Sequence, residues 1–180
     1  MNNILKANNK LLKHNNSWAY FNGSSSYIQY ADNDIFSFTD GVNDIPFEVE
    51  FDIMISSYST AGIIVNKRSE ISTNCEWQIS YSSTGLLSVT LFNGGTNAIF
   101  LSVRYNTALI LNIPYHIKIT YDGSKLWTGI KIDVNNVPVV LVNTSIGAPY
   151  IGMINGTAPM KVGRSGYTTY SHIVTSETLK

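Results

Sequence analysis

The sequence has few charged residues and almost no cysteine. Charged residues make up 13% of the 180 residues, against about 25% in an average soluble protein. Lys and Arg together number 12 and balance 12 Asp and Glu. A neutral surface exerts no electrostatic attraction on nucleic acid or anionic lipid, so we expect neither partner. Cys75 is the single cysteine, which excludes an intrachain disulfide and a cysteine-based metal cluster.

Long apolar runs and local catalytic or metal-binding motifs are also missing. The sequence contains no run of about 18 apolar residues, which is the length needed to span a membrane, so no membrane insertion is expected. The start, MNNILKANNKLLKHNN, lacks the continuous apolar core of a signal peptide, which favours synthesis in a bacterial host cytoplasm. His14, His116 and His172 are too scattered for a zinc site of local spacing. Neither a nucleophile elbow nor a phosphate loop is present.

The sequence instead contains many short strand signals. FEVEFDIMI, EWQISY, LLSVTLF and HIKITYD are rich in β-branched and aromatic residues, and many positions alternate apolar with polar. Turn-forming pieces such as NGG, YDGS and DVNN lie between strands at the spacing of hairpins. No segment has apolar residues at helical spacing. The pattern predicts an all-β domain, built as a sandwich or barrel.

A short repeat at the N-terminus predicts a separate β-rich arm. ILKANNK at 4–10 is followed directly by LLKHNNS at 11–17. Because Asn tolerates positive φ, ANNK and HNNS predict tight turns joining three short strands, the last being SWAYF. We divide the chain into an arm or small β-meander over 1–19, for docking or oligomerisation, and a main domain over 20–180. An edge hairpin that seals the sandwich is the alternative. The docking residues would be Ile4, Leu5, Leu11 and Leu12.

Six motifs between residues 21 and 166 resemble the concanavalin A-like lectin/glucanase superfamily, in its laminin G-like branch. FNGSSSYIQY resembles the opening of those domains, and EWQISYSSTGLLSVTLF resembles their Trp strand, tight turn and following strand. MKVGRSG resembles a late strand. The resemblance implies a jelly-roll sandwich of two antiparallel sheets. YTTYSHIVTSETLK lacks the usual closing pattern, so the last strand is expected from elsewhere, or the tail is expected to reach a neighbouring subunit.

FEVEFDI at 47–53 raises the question of catalysis, because Glu48, Glu50 and Asp52 stand at alternate positions. Alternation puts these acids on one face of a strand and the apolar residues on the other. The superfamily's glucanases have a differently ordered acid strand, well into a longer chain. We therefore expect a solvent-facing row and no catalytic residue. A small glycoside hydrolase that uses Glu48 and Glu50 is the alternative.

Calcium is the one cofactor that the resemblance raises, because laminin G-like domains often bind it at loop acids. Asp32 and Asp34 in ADNDIF, together with Asp44 in GVND, are suitable hard oxygen donors. Their spacing fits no defined calcium loop, and Asp and Asn in turns commonly serve the backbone. We keep these three residues as candidate calcium ligands and expect no other cofactor.

Aromatic residues provide the remaining functional signal. Tyr occurs 11 times and suits both sugar contacts and protein interfaces, since it is apolar with one polar tip. Trp127, Tyr121 and Tyr105 are the candidate glycan-binding or interface residues. Trp127 stands beside a turn, where it is expected to stack on a sugar or to cover an edge or subunit contact. Trp77 and His116 are expected to have structural roles.

These features favour a non-catalytic jelly-roll protein that recognises or builds a surface. A neutral, Asn-rich and Tyr-rich domain with a short arm resembles the accessory proteins of bacteriophage particles, such as capsid-decoration, head-fibre and tail-fibre components. We expect it on the virion surface, as a homo-oligomer with other virion structural proteins and with host-surface glycan as partners. The alternatives are a lectin-like module outside a virion and the small glycoside hydrolase.

Overall fold

The computed structural model describes residues 3–7, 10–14, 18–58, 60–69, 73–96, 98–147, 149–164 and 172–176, with the backbone alone at 3–7, 10–14, 18 and 172–176. Within these ranges the chain is all-β, as predicted, and three short 3-10 turns are its only helical elements. None of the helical turns in the described ranges has the length and hydropathy of a membrane span.

Fifteen strands occur in the described residues. They are β1 (Asn3–Ala7), β2 (Lys10–His14), β3 (Trp18–Asn22), β4 (Ile28–Tyr30), β5 (Phe47–Ile55), β6 (Gly62–Arg68), β7 (Cys75–Tyr81), β8 (Leu87–Phe92), β9 (Phe100–Tyr105), β10 (Pro114–Tyr121), β11 (Ile130–Val134), β12 (Val137–Pro138), β13 (Leu141–Asn143), β14 (Met160–Val162) and β15 (His172–Ser176). The 3-10 turns are Asp34–Phe36, Asn93–Gly95 and Trp127–Gly129.

Two antiparallel sheets form the sandwich. A six-stranded sheet has the order β12-β11-β10-β5-β15-β3, and a seven-stranded sheet has the order β13-β9-β8-β7-β6-β14-β4. The strands alternate between buried and partly exposed positions, most regularly in β5, because one face of each sheet packs against the other sheet. The fold is the two-sheet jelly roll that the sequence predicts.

Aromatic residues close one part of the core between the sheets. The rings of Phe38 and Phe47 stack with their centroids 4.0 Å apart, and Phe38 lies 5.1 Å from the ring of Trp77. Trp77 is 2% exposed, and its indole Nε1 donates a hydrogen bond of 2.8 Å to the carbonyl of Phe36. Trp77 therefore has the packing role expected of it, and its one polar atom is satisfied.

The C-terminal segment supplies a strand to this chain's own sandwich. β15 pairs with β3 over its whole length and with β5 through Ile173 and Val174, so it lies between them in the six-stranded sheet. The missing closing pattern in the sequence led us to expect a strand from elsewhere or a tail directed to a neighbour. That expectation is corrected, since backbone pairing in a sheet does not require a particular side-chain motif.

The N-terminal arm begins as a hairpin. β1 and β2 form a two-stranded antiparallel sheet, in which Leu5 faces Leu12, and β1 lies against β5. β3 pairs with β15 instead of β2, so the proposed boundary at residue 19 falls within a strand of the sandwich. Ile4 and Leu11 stand on the same hairpin. The predicted turns at 8–9 and 15–17 lie outside the described residues, and the docking role of the arm stays a prediction.

Candidate functional site

The three acids of β5 are each paired with a side chain of β10. Strand register places His116 opposite Asp52 and Lys118 opposite Glu50. The two ring nitrogens of His116 contact two carboxylates, Nδ1 with Asp52 Oδ1 at 2.6 Å and Nε2 with Glu50 Oε1 at 3.0 Å. Lys118 Nζ lies 2.9 Å from Glu48 Oε2. We call Glu48, Glu50 and Asp52 the acid row.

The acid row faces solvent on the outer side of the six-stranded sheet, as its alternation predicts. Glu50 and Asp52 have 24% of their side chains exposed, and Glu48 has 36%. The hydrogen bond to Glu48 raises the pKa of Lys118, which keeps that ammonium charged. A carboxylate pair that hydrolyses glycosides needs one member in an apolar, protected setting. The acid row is instead partnered by the Lys118 ammonium and the His116 ring.

Asp44 is a buried acceptor that links its own loop to the end of β10 and to the loop that contains Tyr150 and Met153. Its Oδ2 accepts hydrogen bonds from the hydroxyls of Tyr121 at 2.9 Å and Tyr150 at 2.8 Å, while its Oδ1 accepts from the backbone N–H of Met153 at 2.8 Å. Burial raises the pKa of both tyrosine hydroxyls, so they stay protonated donors. Tyr121 is only 2% exposed and offers no surface to a glycan. We call this group the Asp44 cluster.

Asp32 and Asp34, the other candidate calcium ligands, have separate partners. Asp32 Oδ1 lies 2.8 Å from Lys67 Nζ, and Asp34 Oδ1 accepts from Asn155 Nδ2 at 3.1 Å. Among the described residues, no three His, Cys, Asp or Glu side chains are grouped so that they could hold a metal ion. Asp32, Asp34 and Asp44 are therefore not brought together, and calcium binding stays a prediction.

Lys67 and Glu76 form an ion pair that is fully buried. A register shift between β6 and β7 at Lys67 and Arg68 brings the ammonium to the Oε1 of Glu76 at 2.5 Å. Lys67 Nζ also donates to the carbonyl of Gly156 at 2.8 Å, and the N–H of Gly156 donates to Glu76 Oε1 at 3.0 Å. Burial raises the pKa of Glu76 to about 7, against the opposing effect of Lys67. Sequence alternation alone places both charges in solvent.

A depression beside Trp127 has the shape of a ligand pocket. Its volume is about 440 Å³, within the range of small-molecule sites. It lies where β11 and β12 end the six-stranded sheet and β13 ends the seven-stranded sheet. Trp127 is 37% exposed there. The lining residues are Trp127, Thr128, Ile130, Lys131, Ile132, Asp133, Pro138, Val139 and Leu141. We call it the Trp127 depression.

The turn that precedes β11 fixes the position of Trp127. Asp122 Oδ1 accepts from the N–H of Ser124 at 2.9 Å, and the N–H of Asp122 donates to the carbonyl of Gly129 at 3.2 Å. A Cβ at Gly129 would lie 2.1 Å from Asp122 Oδ1, so a larger residue would displace the carboxylate that holds this turn. Lys125 adopts a φ of 61°, which closes the loop. This tight loop holds Leu126 and Trp127 outward.

Tyr105 lies beside the Trp127 depression without lining it. In the pairing of β9 with β13 it stands opposite Leu141, which is a lining residue. Tyr105 is half-buried and packs against the core. Of the three predicted contact residues, the structure therefore places Trp127 in a depression and Tyr105 next to it, while Tyr121 belongs to the Asp44 cluster.

The outer face of the seven-stranded sheet has polar rows that the sequence analysis did not single out. Register aligns Ser80, Ser88 and Arg104 across β7, β8 and β9, and aligns a second row of Gln78, Thr90 and Ser102 beside them. Their neighbours along each strand are buried in the core, so these six side chains point outward. Alternation in EWQISY, LLSVTLF and FLSVRY gives their direction, but only register shows which of them stand side by side.

The fold is shared with concanavalin A-like domains of known structure. The CBM40 module of the Ruminococcus gnavus IT-sialidase, in its complex with α2,3-sialyllactose, has a TM-score of 0.57 at 9% identity, over 88% of this chain and 85% of that one. Domains LG4-5 of the mouse laminin α1 chain have a TM-score of 0.58 at 12% identity, over 87% of this chain and 40% of that one.

A third similar structure is the heptameric SAP-like pentraxin of Limulus polyphemus, with a TM-score of 0.55 at 13% identity over 89% of this chain and 73% of that one. No protein-family profile matches the sequence, and no curated protein matches it. At such low identities the likeness establishes a concanavalin A-like jelly roll, which agrees with the resemblance read from the sequence. It does not by itself assign a task, because one architecture serves many functions.

Proposed function

We propose that this chain is a non-catalytic, lectin-like domain that binds a glycan in the Trp127 depression. The observation that carries the proposal is an exposed indole at a concave site, next to charged side chains that line the same depression. Lys131 and Asp133 both line the depression, where the charge of Lys131 acts on Asp122 and that of Asp133 acts on Lys118.

The composition of the depression suits a sugar. The apolar face of a pyranose can stack on the indole of Trp127, because an aromatic ring covers C–H groups with little loss of conformational entropy. Asp133 can accept hydrogen bonds from sugar hydroxyls, and Lys131 and Thr128 can donate to ring or hydroxyl oxygens. Pro138 and Val139 provide apolar surface. An apolar wall with a few polar groups is the usual composition of a small-molecule site.

The pairing of the acid row supports the non-catalytic part of the proposal. Glu48, Glu50 and Asp52 each contact a cationic partner or the His116 ring, and none of them lines the Trp127 depression. The similar CBM40 module is bound to α2,3-sialyllactose in its structure. This supports glycan recognition on a fold of this kind, with identity of the sugar left to experiment.

A glycan array followed by isothermal titration calorimetry tests the proposal. The wild-type chain is expected to bind at least one glycan class, and Trp127→Ala is expected to weaken the affinity about tenfold or more, since exposed tryptophans commonly dominate binding energies. Tyr20→Ala is the matched control. Tyr20 is 66% exposed on β3, at the opposite edge of the six-stranded sheet, so its loss should leave the affinity unchanged.

Three outcomes would overturn the proposal. In the first, the wild-type chain binds no glycan on a broad array. In the second, Trp127→Ala and Tyr20→Ala lose the same amount of glycan affinity. The third is a Trp127→Ala variant that binds glycan normally but changes its molar mass in solution, which would assign the indole to a subunit contact.

The biological setting stays a prediction. The virion surface, the virion structural partners and the homo-oligomer rest on composition and on the N-terminal arm. Deletion of residues 1–17 tests the arm, because it removes β1 and β2 and leaves the sandwich strands intact. A folded product that no longer assembles would support docking, whereas an unfolded product would assign the hairpin to the stability of the sandwich.

A further inference from the structure

Arg104 stands in a polar row on the outer face of the seven-stranded sheet. Ser88 is directly opposite Arg104 on the neighbouring strand, and Ser80 is opposite Ser88 on the next. Side chains at such positions lie about 4.5 to 5.5 Å apart at Cβ, so they can share one ligand group. We call these three residues the Arg104 row.

Among the residues that the structure describes, the guanidinium of Arg104 has no counterion. Its only hydrogen bond within the described parts of the chain is a long one of 3.5 Å, from Nη2 to Asn106 Oδ1. Its Nε is shielded from solvent and has no hydrogen-bond partner. An arginine carries five N–H donors in a planar fork. A half-buried charge with a buried, unused donor is costly, and the cost is recovered when an acceptor binds.

The surroundings of the Arg104 row favour a negative ligand. In the described strands of this sheet Glu76 is the single acid, and its carboxylate is held by Lys67 in the buried ion pair. Positive charge without nearby carboxylates raises the local concentration of anions.

From this geometry we propose that the Arg104 row binds an oxyanion of an acidic polysaccharide, either a carboxylate or a sulfate. Arg104 would engage two oxygens of that group through its fork, which is the pairing that guanidinium geometry matches best. The hydroxyls of Ser88 and Ser80, which have no hydrogen-bond partner among the described residues, would donate to the same group or to the adjoining sugar. The row is separate from the Trp127 depression, so the inference does not depend on the proposed function.

Biolayer interferometry with immobilised polygalacturonate, dextran sulfate and neutral dextran tests the inference. The wild-type chain is expected to bind at least one acidic polymer and not neutral dextran, and the two acidic arms distinguish carboxylate from sulfate. Arg104→Gln is expected to weaken that binding about tenfold or more, because it removes a charge-assisted, two-point contact. Lys118→Gln is the matched control, because it also removes one positive charge but lies on the opposite sheet. It should alter binding less than about twofold.

Ser88→Asp provides a second test that keeps Arg104 in place. The new carboxylate would stand directly opposite the guanidinium and occupy it, so polymer binding should be lost while the thermal midpoint is maintained. This variant decides the matter if Arg104→Gln does not fold. Equal effects of Arg104→Gln and Lys118→Gln would reduce the interaction to overall charge and overturn the inference. Equal binding of neutral and acidic polymers, or full binding by Ser88→Asp, would overturn it as well.

Discussion

On the outer face of the six-stranded sheet every acid of β5 contacts a side chain of β10, whereas on the outer face of the seven-stranded sheet Arg104 has one long hydrogen bond. The acid row is the most conspicuous chemical feature of the sequence, yet His116 and Lys118 occupy all three carboxylates. Arg104 is inconspicuous in FLSVRY, and its Nε is without a partner.

The presence of a partner within the chain separates structural charges from candidate binding groups. A charge satisfied within the chain has little left to offer a ligand, and its removal is expected to alter stability. A charge that the fold leaves unsatisfied is expected to show its effect on binding. Substitution of a charged residue that has a partner within the chain should therefore change stability and leave ligand binding unaltered. The predictions below test this for the partnered residues.

The buried ion pair gives the largest expected effect. Lys67→Ala leaves Glu76 buried without its cation, so the free energy of unfolding should fall by about 3 to 5 kcal/mol. Urea denaturation followed by intrinsic fluorescence measures this loss. The double variant Lys67→Met with Glu76→Met is the matched control, because an apolar pair of similar volume should recover much of the stability. A single variant as stable as the wild type would contradict the structural role of the pair.

The Asp44 cluster should give the next largest effect. Asp44→Ala leaves two tyrosine hydroxyls and the N–H of Met153 without their acceptor, and unfolding should become easier by about 2 to 3 kcal/mol. Glycan binding by the folded fraction should be unchanged. Asp44→Asn, which keeps one acceptor oxygen, should lose less. A thermal midpoint of the wild type that rises with millimolar calcium would instead favour the calcium prediction.

Glu76 should make stability depend on pH. The pKa of Glu76 is about 7 in the folded chain, above its ordinary value of 4.5. The folded state therefore binds the proton more tightly, so the contribution of Glu76 to stability should be complete below about pH 4.5 and be lost as the pH rises through 7. Chemical denaturation at pH 5 and pH 8 measures the difference. In Glu76→Gln, whose side chain does not titrate, this part of the pH dependence should vanish. If the pH dependence persists in that variant, it arises from another group.

The exposed pair on the acid row should give the smallest effect. Glu48→Gln removes the ion pair with Lys118, and the expected change in stability is below about 1 kcal/mol, as for other solvent-exposed pairs. Glycan affinity should stay as in the wild type. A panel of β-glucans and host polysaccharides tests the enzymatic alternative. Turnover by the wild type that is lost in Glu48→Gln or Glu50→Gln would replace the proposed function.

The alternation of side chains explains how much of the fold the sequence could predict. FEVEFDIMI gave the correct faces of β5, because one face of that strand is buried and the other is wet. The same rule, applied to HIKITYD, places Tyr121 with Ile117 and Ile119 on the inner face, which the structure shows. We predicted Tyr121 to be a contact residue, although the alternation of this strand already indicates its burial.

Features that depend on pairing between distant segments could not be predicted. The position of β15 between β5 and β3 depends on backbone hydrogen bonds that most side chains permit. The burial of Lys67 and Glu76 depends on an irregular register between β6 and β7, which alternation does not report. The absence of a carboxylate beside Arg104 in the described strands follows from which residues stand across from it on β8 and β13, and no local pattern contains that information.

Two indole N–H signals test the central claim of glycan binding most directly. In a two-dimensional NMR titration with a glycan identified on the array, the Nε1–H resonance of Trp127 should shift with saturation. The resonance of Trp77 should stay in place, because its N–H is buried in a hydrogen bond to Phe36. Saturable shifts confined to Trp127 and the strands around it are the expected result. A glycan that binds while the Trp127 signal is unmoved would contradict the account.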